Sequence, residues 1–263
     1  MVKIIGTGSY LPEKILTNND LEKMVDTSDS WIVQRTGIKE RRIVGENETT
    51  SDLAVKAGAA AIKNSGLTPN DIEMIIVATS TPDYHIPATA PIVQEKLGCK
   101  KIAAFDINSV CTSFVCSYVT AYGLISSGIV NNCLVIGVDV YSKILDWTDR
   151  NTCVIFGDGA GAVVLQRDKN NKGILACDLG TDGSGADYIK VPIGGTVCPN
   201  VKGKTYEDSD YFFQMAGKKV YEFTISIIPE SISKCLKNAS LDNKSIDWVI
   251  CHQANIRIID MIS

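Results

Sequence analysis

Short apolar segments that alternate with longer segments of helical periodicity constrain the fold of this chain most. The strand-like runs lie near residues 2–7, 74–79, 102–107, 133–140 and 160–165, and the helical segments near residues 51–65, 88–97 and 112–127. Strands that are apolar along most of their length are typical of sheets covered on both faces. The alternation therefore predicts an α/β architecture with largely buried strands.

Length and charge exclude several classes of protein. With 263 residues and 45% hydrophobic content, the chain can bury a substantial core as one large domain or as two halves. A net charge of −4 argues against nucleic-acid binding driven by overall basicity, although it leaves a local basic patch possible. Gly6 and Gly8 interrupt the first apolar run, and no run reaches membrane length, so we expect neither a signal peptide nor a membrane span.

The nine cysteines are typical of reduced thiols. Their number is odd, they form no C-x-x-C pair, and most lie within apolar runs. This pattern fits neither a disulfide framework nor a zinc site. We therefore expect a cytoplasmic protein without a bound metal.

An internal repeat predicts a duplicated fold. Residues 61–77 have the pattern of residues 235–251: a helix end, a polar loop and a buried strand. A polar turn at 167–173 would separate an N-terminal half, residues 1–168, from a C-terminal half, residues 173–263. If the distance in sequence between these two copies also holds for the Cys111 segment, the counterpart of that segment would lie past Ser263. We therefore expect the second half to be incomplete.

One cysteine lies where it could act as a nucleophile. Cys111 follows the strand-like run 102–107 and falls in the first turn of the next helical segment. Free N–H groups and the helix dipole would lower the pKa of its thiol there, whereas apolar burial would raise it. Sequence leaves the direction of the shift open.

A histidine provides a possible catalytic partner. The chain has only two histidines, His85 and His252, and His252 directly follows the apolar run 247–251. Functional groups of α/β folds concentrate where strands end. A cysteine and a histidine that are distant in sequence but adjacent in space are the usual parts of thiol-based acyl transfer.

Five motifs in order resemble the β-ketoacyl-[acyl-carrier-protein] synthase III family, and the resemblance runs along the whole chain. They are GTGSYLP at 6–12, DSWIVQRTGI at 29–38, DINSVCTSF at 106–114, FGDGAGA at 156–162 and HQANIR at 252–257. The resemblance implies a thiolase-like fold, two similar α/β halves in a five-layered αβαβα sandwich, and a homodimer.

The resemblance also implies the reaction. Cys111 would take the acyl group from an acyl-CoA, most simply acetyl-CoA, and malonyl-acyl carrier protein would then lose CO2 and condense with it. His252 would stabilise the enolate by donating a hydrogen bond, and no cofactor would be needed. The family's third catalytic residue, an asparagine, and its C-terminal glycine-rich loop have no counterpart before Ser263, so we expect a truncated chain that acylates poorly at most.

Binding residues follow from the same resemblance. It assigns Trp31 and Arg150 to the adenine of coenzyme A, with Thr27 and Arg35 close by, and Gly217, Ala254 and Asn255 to the pantetheine channel. It assigns carrier-protein binding to Gln253, Ala254, Asn255, Ile256 and Arg257, with Lys218 and Lys219 as further basic candidates.

The primer pocket is where this chain departs from the family. The resemblance assigns Ile86 and Phe156 to that pocket, and isoleucine at 86 leaves room for a primer other than acetyl. Val110 and Ser113 stand where the family usually has a small residue and a glycine, so they could narrow the pocket.

Three alternative functions remain. A hydroxymethylglutaryl-CoA synthase-like enzyme would need a glutamate in residues 77–82, and there is none. A non-catalytic subunit or scaffold could keep the fold without activity. A cysteine hydrolase would cleave thioesters without condensation.

Overall fold

A computed structural model describes residues 1–170 and 173–262 of the protein. The chain forms two compact units, and neither is continuous in sequence. The first unit comprises Met1–Lys14, Arg42–Val140 and Asp158–Cys177; the second comprises Ile15–Arg41, Tyr141–Gly157 and Asp178–Ser263. The division into duplicated halves at residues 168–173 stays a prediction, and Asn171, Lys172 and Ser263 lie outside the described residues.

Nine strands and seven α-helices are present in the described ranges. The strands are β1 (Val2–Tyr10), β2 (Lys14–Thr17), β3 (Glu40–Ile43), β4 (Met74–Ala78), β5 (Ala103–Ile107), β6 (Asn132–Val140), β7 (Asp158–Arg167), β8 (Ile189–Lys190) and β9 (Gln214–Met215). The helices are α1 (Asn18–Leu21), α2 (Asp29–Thr36), α3 (Thr50–Ser65), α4 (Thr89–Leu97), α5 (Ser113–Ser126), α6 (Gly217–Ala239) and α7 (Ile256–Ile262).

A mixed five-stranded sheet forms the centre of the first unit. Its strand order is β1-β7-β6-β4-β5. Strand β4 runs parallel to both β5 and β6, whereas β7 is antiparallel to β6 and to β1. The carboxyl ends of β4, β5 and β6 therefore meet at one edge of the sheet.

Side chains of the central strands alternate between two cores. Ile75 and Val77 of β4 point to the side covered by α3 and α4, and Met74 and Ile76 point to the side covered by α5. All four are buried. Because both faces are covered, an uninterrupted apolar run is the sequence these strands require. The α/β prediction, with its five strands and three helices, is confirmed to within a few residues at the element ends.

The second unit is mainly helical. Helix α2 begins at the N-cap Ser28, whose hydroxyl accepts from the Trp31 N–H at 3.2 Å, and ends at Gly37 with φ +76°. Strands β8 and β9 form a short antiparallel pair. Even α6, with 23 residues, is not apolar enough to cross a membrane, and neither is any other described helix.

The strand predicted at residues 247–251 is absent, so that expectation was wrong. The segment has no regular secondary structure, and Trp248 and Ile250 are 87% and 93% exposed. An apolar run becomes a strand only when another strand supplies hydrogen bonds, and none of the described strands pairs with this segment. The structural resemblance between the two repeat copies therefore ends at the polar loop.

Close packing of α3 on β1 explains two early glycines. A Cβ atom at Gly6 or Gly8 would overlap the backbone of α3, at Ala61 and at Ala57 respectively. Backbone atoms of a packed helix cannot move aside as a flexible side chain can. These glycines therefore let helix and strand approach each other, rather than marking a turn.

Replacing Gly8 should weaken the first unit measurably. We expect Gly8→Ala to lower the free energy of unfolding by about 1–3 kcal/mol because α3 must shift away from β1. Gly161 on β7 is the matched control, since nothing lies within 4 Å of a Cβ built there. Urea unfolding of both variants tests this: equal midpoints for Gly8→Ala and Gly161→Ala would contradict the packing argument.

Candidate active site

Cys111 lies between a strand and a helix, as predicted, and this position is at the carboxyl edge of the parallel strands. It follows β5 in a one-turn 3₁₀ helix, Val110–Thr112, that leads directly into α5. The thiol-bearing residue is exposed, in contrast to Cys133 and Cys153, where burial raises the thiol pKa to about 12 and about 11. Buried thiols with such a pKa are inert at neutral pH.

Side chains of the turn itself hold its shape. The Ser109 N–H donates to Ser113 Oγ at 2.7 Å, and the Val110 N–H donates to Asn108 Oδ1 at 3.1 Å. The hydroxyls of Ser109 and Thr112 lie 2.9 Å apart. These bonds enclose a strained residue, since Val110 has φ +49°, a left-handed conformation that a β-branched side chain disfavours by about 1–3 kcal/mol.

The pKa of the Cys111 thiol is raised. Desolvation by the surrounding protein atoms is the largest cause, the negative charge of Asp139 is the second, and the residue's own N–H acts weakly in the opposite direction. Although the residue as a whole is exposed, desolvation is still the dominant cause. The direction of the shift, which the sequence left open, is therefore upward, with desolvation as its main cause.

Trp31 is flanked by two cations in the second unit. The Arg35 guanidinium carbon lies 4.8 Å from the centroid of the indole ring, and that of Arg150 lies 5.5 Å away. Arg150 also donates to the backbone carbonyl of Asp26 at 2.8 Å, which holds it in place. Both distances are within the range of cation-π attraction. The structure thus brings together three of the four residues predicted for adenine binding.

Thr27, the fourth of these residues, is half-buried. Its hydroxyl oxygen is shielded from solvent and has no hydrogen-bond partner among the described residues. It lies one residue before Ser28, the N-cap of α2, the helix that carries Trp31 and Arg35.

His252 is exposed and lies within an irregular segment, not at a strand end. Its carbonyl accepts from the Ala254 N–H at 3.0 Å, and Gln253 donates to the Cys251 carbonyl at 3.1 Å. Asn255 then caps α7, since its Oδ1 accepts from the Ile258 N–H at 3.0 Å.

Helix α7 packs on α2. A Cβ at Gly37 would lie 3.0 Å from that of Ile256, and Arg257 donates to the Gln34 carbonyl at 3.4 Å. The segment predicted for carrier-protein and pantetheine binding is thus joined to the helix that carries Trp31.

The other predicted residues have separate surroundings. Phe156 stacks on Tyr141 at 4.8 Å and meets Phe213 edge-on at 5.0 Å, in a packed aromatic cluster. Gly217 begins α6, and Ile86 in the first unit is 88% exposed. Of the two lysines, Lys218 approaches Glu222 at 3.8 Å and Lys219 lies over the Tyr188 ring at 5.0 Å.

Cys111 and Ile86 belong to the first unit, and the other predicted site residues belong to the second. The pairing of Cys111 with His252 therefore stays a prediction. No cluster of three or more metal-ligating side chains occurs in residues 1–170 and 173–262.

Sequence reasoning missed Asp139 and Asp26. Asp139 interrupts an otherwise apolar strand near its carboxyl end, a signal that could have identified it. Asp26 shows no such signal, because its contact with Arg150 joins residues far apart in the chain.

Comparisons with known proteins agree on one family. The profile of the 3-oxoacyl-[acyl-carrier-protein] synthase III family matches residues 105–183, which include the Cys111 turn. A β-ketoacyl-[acyl-carrier-protein] synthase III of Clostridium acetobutylicum is 49% identical over 98% of this chain and 78% of its own length. One of Caldanaerobacter subterraneus is also 49% identical, over 98% of this chain and 77% of its own.

Solved structures give the same result. The crystal structure of the 3-oxoacyl-[acyl-carrier-protein] synthase III of Aquifex aeolicus superposes with a TM-score of 0.90 at 40% identity, covering 100% of this chain and 80% of that one. The enzyme of Pseudomonas aeruginosa superposes with a TM-score of 0.89 at 36% identity, covering 99% and 78%.

Loss of the Ser113 hydroxyl should loosen the Cys111 turn. We expect Ser113→Ala to lower the free energy of unfolding by about 1 kcal/mol, because the Ser109 N–H loses its acceptor next to the strained Val110. Ser126→Ala, an exposed serine at the other end of α5, is the control and should be neutral. Urea unfolding distinguishes the two, and equal stability of both variants would show that the Ser109–Ser113 bond does not support the turn.

Proposed function

Since this chain belongs to the β-ketoacyl-[acyl-carrier-protein] synthase III family, we propose that it condenses an acyl-CoA primer with malonyl-acyl carrier protein, the first condensation of fatty-acid synthesis. The observation that carries the proposal is the position of Cys111. It is an exposed cysteine in a preformed turn, at the edge where three parallel strands end. The relatives are named as synthases, so the comparisons favour neither a non-catalytic subunit nor the poor acylation expected from the sequence.

In the loading step, the Cys111 sulfur attacks the carbonyl carbon of the acyl-CoA thioester. The bond from that carbon to the coenzyme A sulfur breaks, and the thiol proton ends on coenzyme A. The N–H of Cys111 supports the negative charge on the carbonyl oxygen in the tetrahedral intermediate.

In the condensation step, the malonyl thioester loses CO2, and the electron pair of the broken bond forms an enolate. His252 donates a hydrogen bond to that enolate oxygen. The enolate carbon attacks the acyl thioester, the carbon–sulfur bond to Cys111 breaks, and the released thiolate takes up a proton. The product is a β-ketoacyl thioester on the carrier protein.

Trp31, Arg35 and Arg150 suit the adenine end of coenzyme A. A flat aromatic ring beside two guanidinium groups offers stacking and cation-π contact, and the cations also attract phosphate. Thr27 would border this site, with Gly217, Ala254 and Asn255 along the pantetheine. Residues 253–257, including Arg257, would meet the acidic carrier protein.

The remaining proposals concern the setting of the enzyme. We place Ile86 and Phe156 at the primer pocket, with acetyl-CoA as the simplest primer. We also propose a cytoplasmic homodimer that needs neither metal nor prosthetic group.

Acyl loading tests the proposal directly. After incubation with acetyl-CoA, we expect mass spectrometry to find an acetyl group on Cys111, and added malonyl-acyl carrier protein should convert it to acetoacetyl-acyl carrier protein. Cys111→Ala should abolish the adduct, whereas Cys177→Ala, which removes another exposed cysteine, should leave it. No adduct on folded protein would favour a scaffold, and free acetate without condensation would favour a hydrolase.

Adenine recognition is tested with a truncated substrate. We expect Trp31→Ala to raise KM for acetyl-CoA about tenfold, equivalent to about 1.4 kcal/mol, the scale of one base–aromatic stack. With S-acetyl-pantetheine, which lacks adenine, the same variant should match the wild type. Trp248→Ala removes an exposed tryptophan and serves as control. Equal losses with both substrates would place Trp31 elsewhere than at the adenine.

A further inference from the structure

Asp139 is a carboxylate at the carboxyl end of β6, within the first unit. It follows a run of mostly buried apolar residues, 133–138. The register of β4 and β6 pairs Ala78 with Gly137, so Asp139 lies level with the segment that follows β4. The reaction steps above do not use it.

One oxygen of this carboxylate accepts four hydrogen bonds from three consecutive residues. Asp139 Oδ1 lies 2.8 Å from the Ser80 nitrogen, 2.9 Å from Ser80 Oγ, 3.0 Å from Thr81 Oγ1 and 3.3 Å from Thr79 Oγ1. We call residues 79–81 the anchored segment. Four donors on one oxygen compensate in part for the solvent that burial removes from the carboxylate.

The anchored segment is fixed on two further sides. Thr81 Oγ1 accepts from the Val140 N–H at 2.8 Å. The backbone carbonyl of Thr81 accepts from Thr50 Oγ1 of α3 at 2.6 Å. The chain continues from there to the exposed Ile86. Asp139 therefore sets the direction in which this loop leaves the sheet.

The same edge carries the Cys111 turn. The Thr79 N–H donates to the Ile107 carbonyl at 3.3 Å, immediately before that turn begins. On the other side of β4, strand β6 carries Gly137. Phe114, at the start of α5, covers this glycine, and its ring would lie 3.1 Å from a Cβ built at Gly137. The anchored segment and the Cys111 turn thus share contacts on both sides of β4.

Asp139 brings a negative charge to bear on the Cys111 thiol. That charge raises the thiol pKa and ranks second to desolvation. Asp106 on β5 is engaged elsewhere, by the N–H groups of Thr89 and Ala90 at 2.6 and 2.7 Å. Burial raises the pKa of Asp139 itself, whereas the donors of the anchored segment lower it.

We propose that Asp139 is a positioning residue for acyl loading: it fixes the anchored segment beside the Cys111 turn and places a negative charge at the edge of the sheet where that turn begins. The inference rests on the proposed role of Cys111 as the acyl carrier. A neutral thiol and a neutral thioester both tolerate the nearby carboxylate, whereas a free thiolate does not. The charge therefore disfavours the thiolate, the state of Cys111 that reacts with acyl-CoA and with other electrophiles alike.

Two variants separate the charge from the anchor. Asp139→Asn keeps an acceptor oxygen for the anchored segment and removes the charge; Asp139→Ala removes both. The measurement is the rate of Cys111 alkylation by iodoacetamide against pH, followed by peptide mass spectrometry, together with urea unfolding. Asp83→Asn, which removes a neighbouring carboxylate bound to the Ser51 N–H, is the control.

We expect Asp139→Asn to move the alkylation midpoint to lower pH and to raise the rate at pH 7 about three- to tenfold, since one pKa unit changes the thiolate fraction tenfold. Asp83→Asn should leave the midpoint unchanged. Asp139→Ala should show the same shift with a lower urea midpoint. An unchanged alkylation midpoint in Asp139→Asn would overturn the proposal.

Alkylation does not depend on acyl transfer, so the two hypotheses fail separately. If wild-type protein never forms acetyl-Cys111, the proposed function is wrong, while the alkylation profile still decides whether Asp139 controls the thiol. If loading occurs and the profile of Asp139→Asn matches the wild type, only the role of Asp139 is wrong.

Discussion

Burial of the central strands on both faces is the constraint on which the first unit depends. Strand β4 sends alternate side chains into two cores, one under α3 and α4 and one under α5. A shift of one residue in register would exchange the two sets, so the pairing of β4 with β5 and β6 is strongly specified. With the register fixed, the segments that follow these three strands are fixed relative to one another. The anchored segment, the Cys111 turn and Asp139 occupy those positions.

The second unit places its groups by a different means. Helix α2 carries Trp31 and Arg35 one turn apart, starts at a serine cap and ends at a glycine in the left-handed conformation. Helix α7, capped by Asn255, packs where that glycine leaves room. Local capping and one helix contact thus organise residues that sequence alone could only associate by family resemblance.

Local patterns predicted much of the first unit because its elements are determined locally. The spacing of apolar residues predicts the strand at 74–78 and the helix at 113–126. Cys111 lies in the short segment before that helix. The strand expected at 247–251 failed because an apolar run does not supply its own hydrogen-bond partner. Asp139 was missed for a related reason: its four donors lie about sixty positions earlier, and such distant pairs leave no periodic trace.

The raised thiol pKa at Cys111 looks at first like a disadvantage for a nucleophile. Reactivity depends both on the fraction of thiolate and on its strength, and strength rises with pKa. A desolvated thiolate beside a carboxylate is scarce but strongly nucleophilic, and in the proposed loading step it would pass its negative charge onto the carbonyl oxygen of the thioester, near the Cys111 N–H. The leaving coenzyme A would then carry that charge away from Asp139. The resting thiol and the acyl thioester are both neutral, so the carboxylate disfavours only the thiolate between them, and in the proposed loading step that cost is relieved once the charge has left the sulfur.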